Sequence, residues 1–486
     1  MRPPKFLNTL MALTIFVLAA CDAAIGPVSR FTDPNAVEPT AGSWRTMVIA
    51  SGSAFRPVAP GNGTLELSAV RNAIASRSLT HQTAIDYWNG GVSRRWNEFQ
   101  LQLIASTATN PPRASRGLAL VSAAMYDAMV ATWEAKFYYR RGRPSAYDPS
   151  LNVYGAEPRT PGYVSERVAI SAAAADVLKY LFPASAASID AKLQEAKDAD
   201  LYSGISFPSD ITSGDALGKT VASWVISRGQ NDNSNAVYTG TRLMGPGYWV
   251  PTPPAFIQNP LEPACGLWKP WVLPTGDAIR PGPPPAYGGD EFNAQLDEVW
   301  QVNQTLTAER LAIALYWAAG SGTVTPPGMW NQIATGLAAD YGLNEPQAVR
   351  VLAYLGIAQA DAFISCWDCK YHYWCVRPVT EVRAVYDADW LSPIATPPFP
   401  SYPSGHSTTS GAAAAMLAYF FPNDAVELQR MGLEAMSSRL YGGIHFTFDD
   451  FIGYNMGTAI ATRTIKIAGS DGAPKVAPGA YASATP

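Results

Sequence analysis

Residues 397–421 read PPFPSYPSGHSTTSGAAAAMLAYFF, a proline-rich segment that leads into an alanine-rich run. The prolines favour an extended chain, and Ser404 is suited to cap the helix that follows. Gly405 lets the backbone approach a ligand closely, and the free N–H groups of a helix N-terminus favour an oxyanion. His406 would lie beside that anion as a proton donor or acceptor. A plain helix cap with an incidental histidine is the alternative.

Two cations stand seven residues apart upstream of this segment. Lys370 and Arg377 are separated by nearly two helical turns, so we expect them to share one helix face. Pro378 ends that helix or begins the next segment. Such a pair usually marks a solvated surface. The three aromatic residues between the cations, however, indicate partial burial, and two buried cations without a partner need an anion.

Downstream, a histidine and an aspartate are spaced by four residues. His445 and Asp449 would share a helix face, so that the carboxylate accepts a hydrogen bond from one imidazole nitrogen. This bond would fix the tautomer and make the other nitrogen a better nucleophile or ligand. Arg439 lies six residues before His445. A buried histidine–aspartate pair without a chemical task is the alternative.

The three segments together fit one oxyanion site. Five donors are predicted for tetrahedral oxygens: the side chains of Lys370, Arg377, Ser404 and Arg439 and the N–H group of Gly405. His445 would bond the central atom, and His406 would handle protons. Coincidence of all three segments in this order is improbable, so the sequence predicts an oxyanion-binding site.

The rest of the chain predicts an all-α protein. With 486 residues, 48% of them hydrophobic, the chain can bury a large core. Helical periodicity recurs, and neither an alternating strand pattern nor an internal repeat is evident. We therefore expect a mainly helical domain with two packed helical bundles and long Pro/Gly-rich loops. A formal charge of −4 without a basic run argues against a nucleic-acid partner.

The periodicity also predicts boundaries. A helical domain is expected over 63–470, with an N-terminal bundle at about 63–240, an active-site bundle at about 288–470 and a flexible tail over 471–486. Helical runs are expected from about residue 65 and then at about 113–133, 164–182, 210–228, 290–303, 307–319, 330–340, 346–372, 406–421 and 424–466, the last broken around Gly442. A Pro/Gly-rich stretch at about 244–288 is expected to wrap the surface or cover a cleft.

The N-terminus resembles a bacterial export signal. A positively charged start precedes the apolar run 6–20, which is short for a membrane span. The run ends in LAAC at residues 18–21, which resembles a lipobox. We therefore expect a signal peptide over 1–21 and lipidation of Cys21, which would become the new N-terminus. An ordinary cleaved signal with an incidental cysteine is the alternative.

The stretch after the cysteine bears on location. Residues 22–62 are polar and rich in Pro, Gly and Ser, which predicts a flexible linker from a membrane anchor. The protein would then be an exported bacterial lipoprotein on the periplasmic face of a membrane, held there by its lipid alone. In a Gram-negative cell, Asp22 resembles a signal for retention at the inner membrane.

Four further cysteines allow three disulfide pairings. They are Cys265, Cys366, Cys369 and Cys375. Export permits disulfides, so structural disulfides and free thiols both stay open. A metal site is disfavoured, because the chain has one CxxC pair and no second.

The motifs of the oxyanion site resemble one superfamily. The chain carries Lys-x6-Arg-Pro over 370–378, Pro-Ser-Gly-His over 403–406 and Ser-Arg-x5-His-x3-Asp over 438–449. These match the three signatures of the superfamily that unites type 2 phosphatidic acid phosphatases, bacterial acid phosphatases and vanadium-dependent haloperoxidases. The resemblance covers roughly residues 85–465.

Further residues resemble the haloperoxidase branch and assign a halide pocket to Trp367 and Phe399. Trp367 stands three residues before the lysine, as a pocket tryptophan does in the fungal chloroperoxidase. Phe399 falls where algal bromoperoxidases carry histidine. One departure concerns residues 317–320, WAAG, because haloperoxidases usually place an aspartate after this Trp-Ala to pair with the site arginines. Either another acid substitutes, or the arginines keep more net positive charge.

The resemblance implies a vanadate cofactor bound through His445, with the five donors around its oxygens. His406 would deprotonate hydrogen peroxide, Lys370 would polarise the bound oxygen, and oxygen transfer to a halide would give hypohalous acid for a small organic acceptor. Vanadium would act as a Lewis acid without changing oxidation state. Members of this family also often form homo-oligomers.

Two other functions remain open. In an acid phosphatase, His445 would attack phosphorus to give a phosphohistidine and His406 would protonate the leaving group. Phosphate and vanadate are both tetrahedral oxyanions, so the motifs alone do not separate these activities. A non-catalytic oxyanion-binding lipoprotein is disfavoured, because His406 would then have no task.

Overall fold

The two longest helices begin in the same way. One spans Pro111–Tyr139 and the other Glu345–Tyr373, with 29 residues each. An asparagine precedes each helix, Asn110 or Asn344, and its side chain accepts a backbone N–H of the first turn. Both helices carry proline in the first turn, where the missing N–H costs no intrahelical bond.

The computed structural model describes residues 29–474, which form fifteen α-helices, seven short 3-10 helices and no β-sheet. The α-helices are α1 Leu67–Ala75, α2 Leu79–Asn89, α3 Val92–Ser106, α4 Pro111–Tyr139, α5 Glu166–Leu181, α6 Ala186–Ser203, α7 Pro208–Gln230, α8 Asp290–Gln304, α9 Ala308–Ala318, α10 Thr325–Asp340, α11 Glu345–Tyr373, α12 Pro378–Val385, α13 Gly405–Phe420, α14 Ala425–Tyr441 and α15 Thr447–Ala468. The predicted all-α class is confirmed.

The helices form two bundles joined along their central helices. The first bundle consists of α4–α7 and the second of α11 and α13–α15. The helices α4 and α11 pack against each other, and a Cβ atom at Gly356 would lie 2.7 Å from the Ser122 hydroxyl. Glycine therefore permits this close approach. By length and composition α11 could cross a membrane, but its apolar window is fully buried inside the fold, as expected of a core helix.

The second bundle repeats the first. The helices α4 and α11 have equal lengths, and α5 and α13 have 16 residues each. The helices α6 and α7 correspond in the same way to α14 and α15. We align the first residue of α4 with that of α11, and the first residue of α5 with that of α13. This alignment pairs each residue of the first bundle with an equivalent position in the second, which we call its counterpart. The interpretation of the sequence as free of internal repeats is therefore wrong.

A buried aspartate in each central helix illustrates the repeat. Asp127 in α4 accepts the backbone N–H groups of residues 47–49 at 2.7–3.0 Å. Its counterpart in α11, Asp361, accepts those of residues 271–273 at 2.6–3.0 Å. Each carboxylate thus satisfies three backbone donors of an irregular segment that lies on its bundle. The second of these segments belongs to the predicted Pro/Gly-rich stretch.

An ion pair ties the two ends of each bundle together. Arg116 pairs with Asp232 at 2.7 Å in the first bundle, and Arg350 pairs with Asp471 at 2.7 Å in the second. Asp471 is 2% exposed, so the prediction of a flexible tail beginning at 471 is wrong for this residue. Residues 475–486 lie outside the described part of the chain.

The predicted linker over 22–62 is also wrong for the part that the structure describes. Ala41, Trp44 and Ile49 are buried in the core of the first bundle, so residues 29–62 lie on the helical domain. Its large apolar residues are interspersed with proline, glycine and polar residues, which explains why composition suggested a tether. The predicted signal peptide over 1–21 and the lipidation of Cys21 lie outside the described residues.

Most predicted helices are present, with two omissions. The run 424–466 is two helices, α14 and α15, separated at the predicted break. The helices α6 and α12 were not predicted. The buried face of α6 mixes apolar with polar residues, and this gives little contrast with its exposed face; its members are Ile189, Leu193, Ala196, Ala199, Asp200 and Ser203.

Candidate functional site

The N-terminus of α13 forms the floor of the candidate site. Ser404 caps the helix, because its Oγ accepts the Ser407 N–H at 3.3 Å, as predicted for this position. Its own N–H donates to the Asp449 carbonyl at 2.9 Å. A Cβ atom at Gly405 would lie 3.1 Å from the Trp367 ring, so a side chain here would crowd the tryptophan.

His445 and Asp449 are brought together, but not by sharing a helix face. His445 lies before α15, whereas Asp449 is in its first turn and accepts the Phe446 N–H at 3.1 Å. The same Oδ2 atom lies 2.9 Å from Nδ1 of His445 and accepts the Ser401 hydroxyl at 2.5 Å. The helix cap thus places the carboxylate against the imidazole, which leaves Nε2 as the nitrogen that can accept or bind.

Burial governs the charge of this pair. It lowers the pKa of His445 well below its ordinary value, and Arg377 lowers it further. Burial also raises the pKa of Asp449 to about 6, although the Ser401 hydroxyl bond opposes this shift. At neutral pH, therefore, a neutral imidazole faces an ionised carboxylate. A neutral His445 is the state required of a ligand or nucleophile.

Lys370 and Arg377 converge on the site from different elements. Lys370 is in the last turn of α11, whereas Arg377 is the residue before α12, so the expectation of one shared helix face is wrong. The Lys370 Nζ donates to three backbone carbonyls of the proline-rich segment. The Arg377 Nε donates to the Phe399 carbonyl, and its Nη1 donates to the Ile444 carbonyl.

Arg439 completes the cluster of cations from the last turn of α14. Its Nη2 donates to the Ala314 carbonyl at 3.1 Å, and its Nε lies 3.0 Å from the Ser438 hydroxyl. Burial lowers the pKa of Arg439 and of Arg377 to about 10, and burial lowers that of Lys370 to about 8. All three side chains thus carry positive charge in a dry environment at neutral pH.

The hydrogen-bond partners of these cations are neutral throughout the described chain. For Arg377 they are carbonyls and the imidazole, and its Nη2 is buried without any partner. The nearby Asp450 accepts the Ser407 hydroxyl at 2.8 Å and makes no ion pair with Arg439. Burial lowers the pKa of Arg439, and the charge of Asp450 opposes this shift. The two expectations for the missing aspartate after Trp317-Ala318 therefore both stay predictions. A buried guanidinium with an unpaired N–H group needs an acceptor, and an oxyanion provides one.

His406 occupies a different environment from the other polar residues. It is partly exposed, whereas His445 is 1% exposed. Its Nε2 lies 3.1 Å from the Ala318 carbonyl at the end of α9, so this nitrogen carries the proton and donates. Burial and the charge of Arg439 lower the pKa of His406 well below its ordinary value. A neutral imidazole whose Nδ1 is unprotonated can accept a proton.

The two aromatic residues assigned to the halide pocket lie together. The rings of Trp367 and Phe399 are 5.0 Å apart, and the Arg377 guanidinium lies 4.9 Å from the centre of the Phe399 ring. The Trp367 Nε1 donates to the Leu261 carbonyl at 3.1 Å. The apolar wall therefore borders the cations, which lie where the faces of aromatic rings attract positive charge. A halide role for these rings stays a prediction.

The four cysteines are unpaired and buried, in agreement with the free-thiol alternative. Burial raises the pKa of Cys366 and of Cys369, so these thiols are protonated at neutral pH. Cys366 lies against the site, with its Sγ 3.5 Å from the Pro403 carbonyl.

Three residues that hold the site together were not predicted as site residues from the sequence. Ser401 bonds Asp449, Asp450 bonds the Ser407 hydroxyl, and the Ala318 carbonyl bonds His406. A signal was available for Asp450, which directly follows Asp449 on the first turn of α15. Ser401 lies inside the motif-bearing segment but in none of the motifs, and a backbone carbonyl leaves no trace in a sequence.

Comparisons with known proteins point to one family. The VCPO second helical-bundle domain matches residues 350–434. The vanadium chloroperoxidase of Curvularia inaequalis is 31% identical over 160 residues, which are 28% of this chain and 25% of that protein. The aligned part therefore spans about a quarter of that relative's length.

Solved structures resemble the chain over more of its length. The first bacterial vanadium-dependent iodoperoxidase matches with a TM-score of 0.65 and 26% identity, covering 79% of this chain and 96% of its own. A holo-type bacterial vanadium-dependent chloroperoxidase matches with a TM-score of 0.54 and 18% identity, covering 75% and 93% respectively. Because its sequence identity is only 18%, the likeness to the chloroperoxidase concerns the fold alone.

Proposed function

Because the chain belongs to the vanadium-dependent haloperoxidase family, we propose that it uses hydrogen peroxide to oxidise a halide to hypohalous acid, with vanadate as cofactor. One observation carries the proposal. A neutral imidazole, His445, faces a buried arginine, Arg377, whose Nη2 has no partner in the described chain. A nitrogen ligand and an unsatisfied cationic donor thus belong to two hydrogen-bonded neighbours.

The residues present fit an oxyanion of this kind. Lys370, Arg377 and Arg439 would neutralise its negative oxygens, and Ser404 and Gly405 would add donors at the start of α13. The Nε2 atom of His445 would bind the central atom, oriented by Asp449. Vanadate, when bound, supplies a Lewis acid that activates hydrogen peroxide without a change in oxidation state.

The protein's own groups then manage the proton and the environment. His406 accepts the proton of hydrogen peroxide at Nδ1, since its Nε2 is held by the Ala318 carbonyl. Its partial exposure lets it pass that proton to solvent. The cations strengthen their hold on negative oxygens because the surroundings are dry. Trp367 and Phe399 would exclude water from the side where a halide approaches.

A paired assay tests this proposal. The purified protein is dialysed with vanadate and given hydrogen peroxide, bromide and a phenolic dye, and hydrolysis of a phosphate ester is measured in parallel. We expect bromination of the dye that requires vanadate. No bromination, together with ester hydrolysis that vanadate inhibits, would instead identify an acid phosphatase acting through a phosphohistidine on His445.

We also propose that the protein is an exported lipoprotein, from the apolar run 6–20 and the lipobox-like sequence ending at Cys21. Labelled palmitate should appear in the membrane-bound protein and be lost from the C21A variant. Release of unlabelled protein in both cases would indicate an ordinary cleaved signal.

Membrane fractionation tests the predicted location at the periplasmic face. The lipidated protein should be found in the inner-membrane fraction, and substitution of Asp22 should remove it from that fraction. The molar mass of the purified protein, measured by light scattering, tests for a homo-oligomer.

A further inference from the structure

The first bundle contains a cation pair at the positions of the site cations. Lys136 stands at the same place in the last turn of α4 as Lys370 does in that of α11. Arg143 follows Lys136 at the spacing at which Arg377 follows Lys370. Both first-bundle side chains are buried, with 0% and 2% of their surface exposed. The chain therefore buries the same two cations twice, although only the second pair belongs to the motifs of the oxyanion site.

The backbone holds both pairs in the same way. The Nε and Nη1 atoms of Arg143 donate to the carbonyls of Thr160 and Ile205 at 3.0 and 3.2 Å. The same atoms of Arg377 donate to the carbonyls of residues 399 and 444, the counterparts of those two residues, at 2.8 and 2.9 Å. The Lys136 Nζ likewise donates to the Pro161 carbonyl, the counterpart of the Pro400 carbonyl that accepts from Lys370.

The capped helix beside the cations is repeated as well. Ser165 caps α5 by accepting the Val168 N–H at 3.1 Å, and its own N–H donates to the Asp210 carbonyl at 3.0 Å. The same two bonds are made by Ser404 in the second bundle. In each bundle the helix N-terminus and the two cations thus enclose one small volume, in which a helix terminus favours an anion.

A carboxylate fills that volume in the first bundle. Glu166, the residue after the cap, places one oxygen 2.6 Å from the Lys136 Nζ and the other 2.8 Å from the Arg143 Nη2. At the corresponding position of the second bundle stands Gly405, which has no side chain, and there the equivalent Nη2 of Arg377 has no partner in the described chain. The Arg143 Nη2 also donates to the Thr160 hydroxyl at 2.7 Å, whereas the counterpart of Thr160, Phe399, has no hydroxyl. The first-bundle donor thus has two acceptors where the second-bundle donor has none.

Charge accounts for the stability of this arrangement. Although burial alone would raise it, the pKa of Glu166 falls to about 2 because Arg143 and Lys136 favour the ionised form. The carboxylate therefore neutralises a cation pair that would otherwise be costly to bury.

A cavity borders the first-bundle site on the side of Glu166, whereas neither Lys136 nor Arg143 lines it. The cavity has a volume of about 580 Å³ and is lined by Trp133, Thr160, Glu166, Arg167 and Asp200 among others. Trp133 is the counterpart of Trp367, and each indole donates to a carbonyl at 3.1 Å. Removing the Glu166 side chain would therefore open this cavity toward the two cations.

We propose that the first bundle contains a second oxyanion site, closed by the chain's own carboxylate Glu166, which binds a tetrahedral oxyanion such as phosphate when that side chain is removed. The site would bind without catalysing, because Ser206 stands where the second bundle has His445 and Arg167 stands where it has His406. Asp200 replaces the third cation, so binding would be weaker than in the second bundle. The proposal is independent of the halide chemistry.

The experiment counts bound phosphate by calorimetry in three variants of the full chain. E166G gives the first bundle the residue of the second, and we expect it to bind one more phosphate per chain than the parent. E166Q retains the volume of the side chain without its charge, and we expect no additional phosphate. Adding R143A to E166G should remove the extra site. Equal stoichiometry in folded E166G and the parent overturns the proposal.

Thermal unfolding covers the case in which E166G folds poorly. The exposed cations should lower its melting temperature, and inorganic phosphate should restore it far more than chloride at matched ionic strength. The melting temperature of E166Q should not respond to phosphate more than that of the parent. If the melting temperature of E166G is lower than that of the parent and phosphate does not restore it, the proposal is overturned. Failure of the second-bundle site would instead show as a parent that binds no phosphate.

Discussion

The Nε2 atom of His445 lies 3.0 Å from Nη1 of Arg377. A guanidinium has only donors, so this nitrogen must be the unprotonated one. The opposite nitrogen lies 2.9 Å from Asp449, whose carboxylate can only accept when ionised. Two neighbours of opposite charge thus impose one tautomer on the ring. The lone pair is directed to the cations, and a bound oxyanion would compete with Arg377 for it.

The H445A variant should lose bound vanadate, because among the described residues no other imidazole nitrogen is hydrogen-bonded to a site cation. We expect vanadium per chain, measured by elemental analysis after dialysis, to fall to background. H372A is the matched control, since His372 is exposed and lies two residues from Lys370. A vanadium content in H445A equal to that of H372A would remove His445 as the ligand.

The D449N variant should bind vanadate roughly 10- to 100-fold more weakly, since an amide can donate to the ring and stabilise the wrong tautomer. Equilibrium dialysis over a vanadate series measures the change. D210N is the control: Asp210 caps α7 through the Phe207 N–H as Asp449 caps α15, but it has no histidine beside it. An equal loss in both variants would mean that only the fold is weakened.

The H406A variant should retain vanadate but turn over roughly 10²- to 10⁴-fold more slowly, as expected when a general base is removed. The rate of dye bromination at saturating peroxide measures kcat, and elemental analysis confirms the loading. H372A again serves as the control. Unchanged turnover in a fully loaded H406A would exclude the proton role and would leave peroxide deprotonation to solvent.

The residues of the site could be predicted from the sequence motifs, whereas the helix ends that bring these residues together could not. Spacing suggested shared helix faces for Lys370 with Arg377 and for His445 with Asp449. In the structure each pair is divided by a helix end, after Tyr373 and before Thr447. Helix termini converge on the site because they supply free donors and capping carboxylates. Periodicity detects helices but gives no account of how their ends meet.

The repeat of the two bundles could not be recognised from the amino-acid sequence for a related reason. Its two copies share contacts in which one partner is a backbone atom, such as the carbonyls that hold Arg143 and Arg377. Backbone atoms impose no residue type, so the two copies can diverge in sequence while the geometry persists. The residues that differ include Glu166 and Gly405, where one copy supplies an anion and the other does not.

The acid dependence of stability should reveal Glu166 as an ionised partner. Its ordinary pKa of 4.5 falls to about 2, although burial opposes this, because Arg143 and Lys136 favour the carboxylate. Between pH 4.5 and 2 the unfolded chain therefore binds a proton that the folded chain does not. The contribution of the ionised Glu166 to the free energy of unfolding is thus complete above pH 4.5 and is lost as pH falls. The advantage of the parent over E166Q should shrink by about 2 kcal/mol from pH 6 to pH 3.

Urea unfolding of the parent and of E166Q at each pH measures this difference. E345Q is the contrasting control, since Glu345 lines the same cavity and burial raises its pKa, an effect that its bonds to Ser93 oppose. A raised pKa means that the folded chain takes up the proton first, so the parent should gain stability over E345Q as pH falls. The two difference curves should therefore run in opposite directions. If the E166Q curve is flat or follows the E345Q curve, the carboxylate is not held ionised by the cation pair.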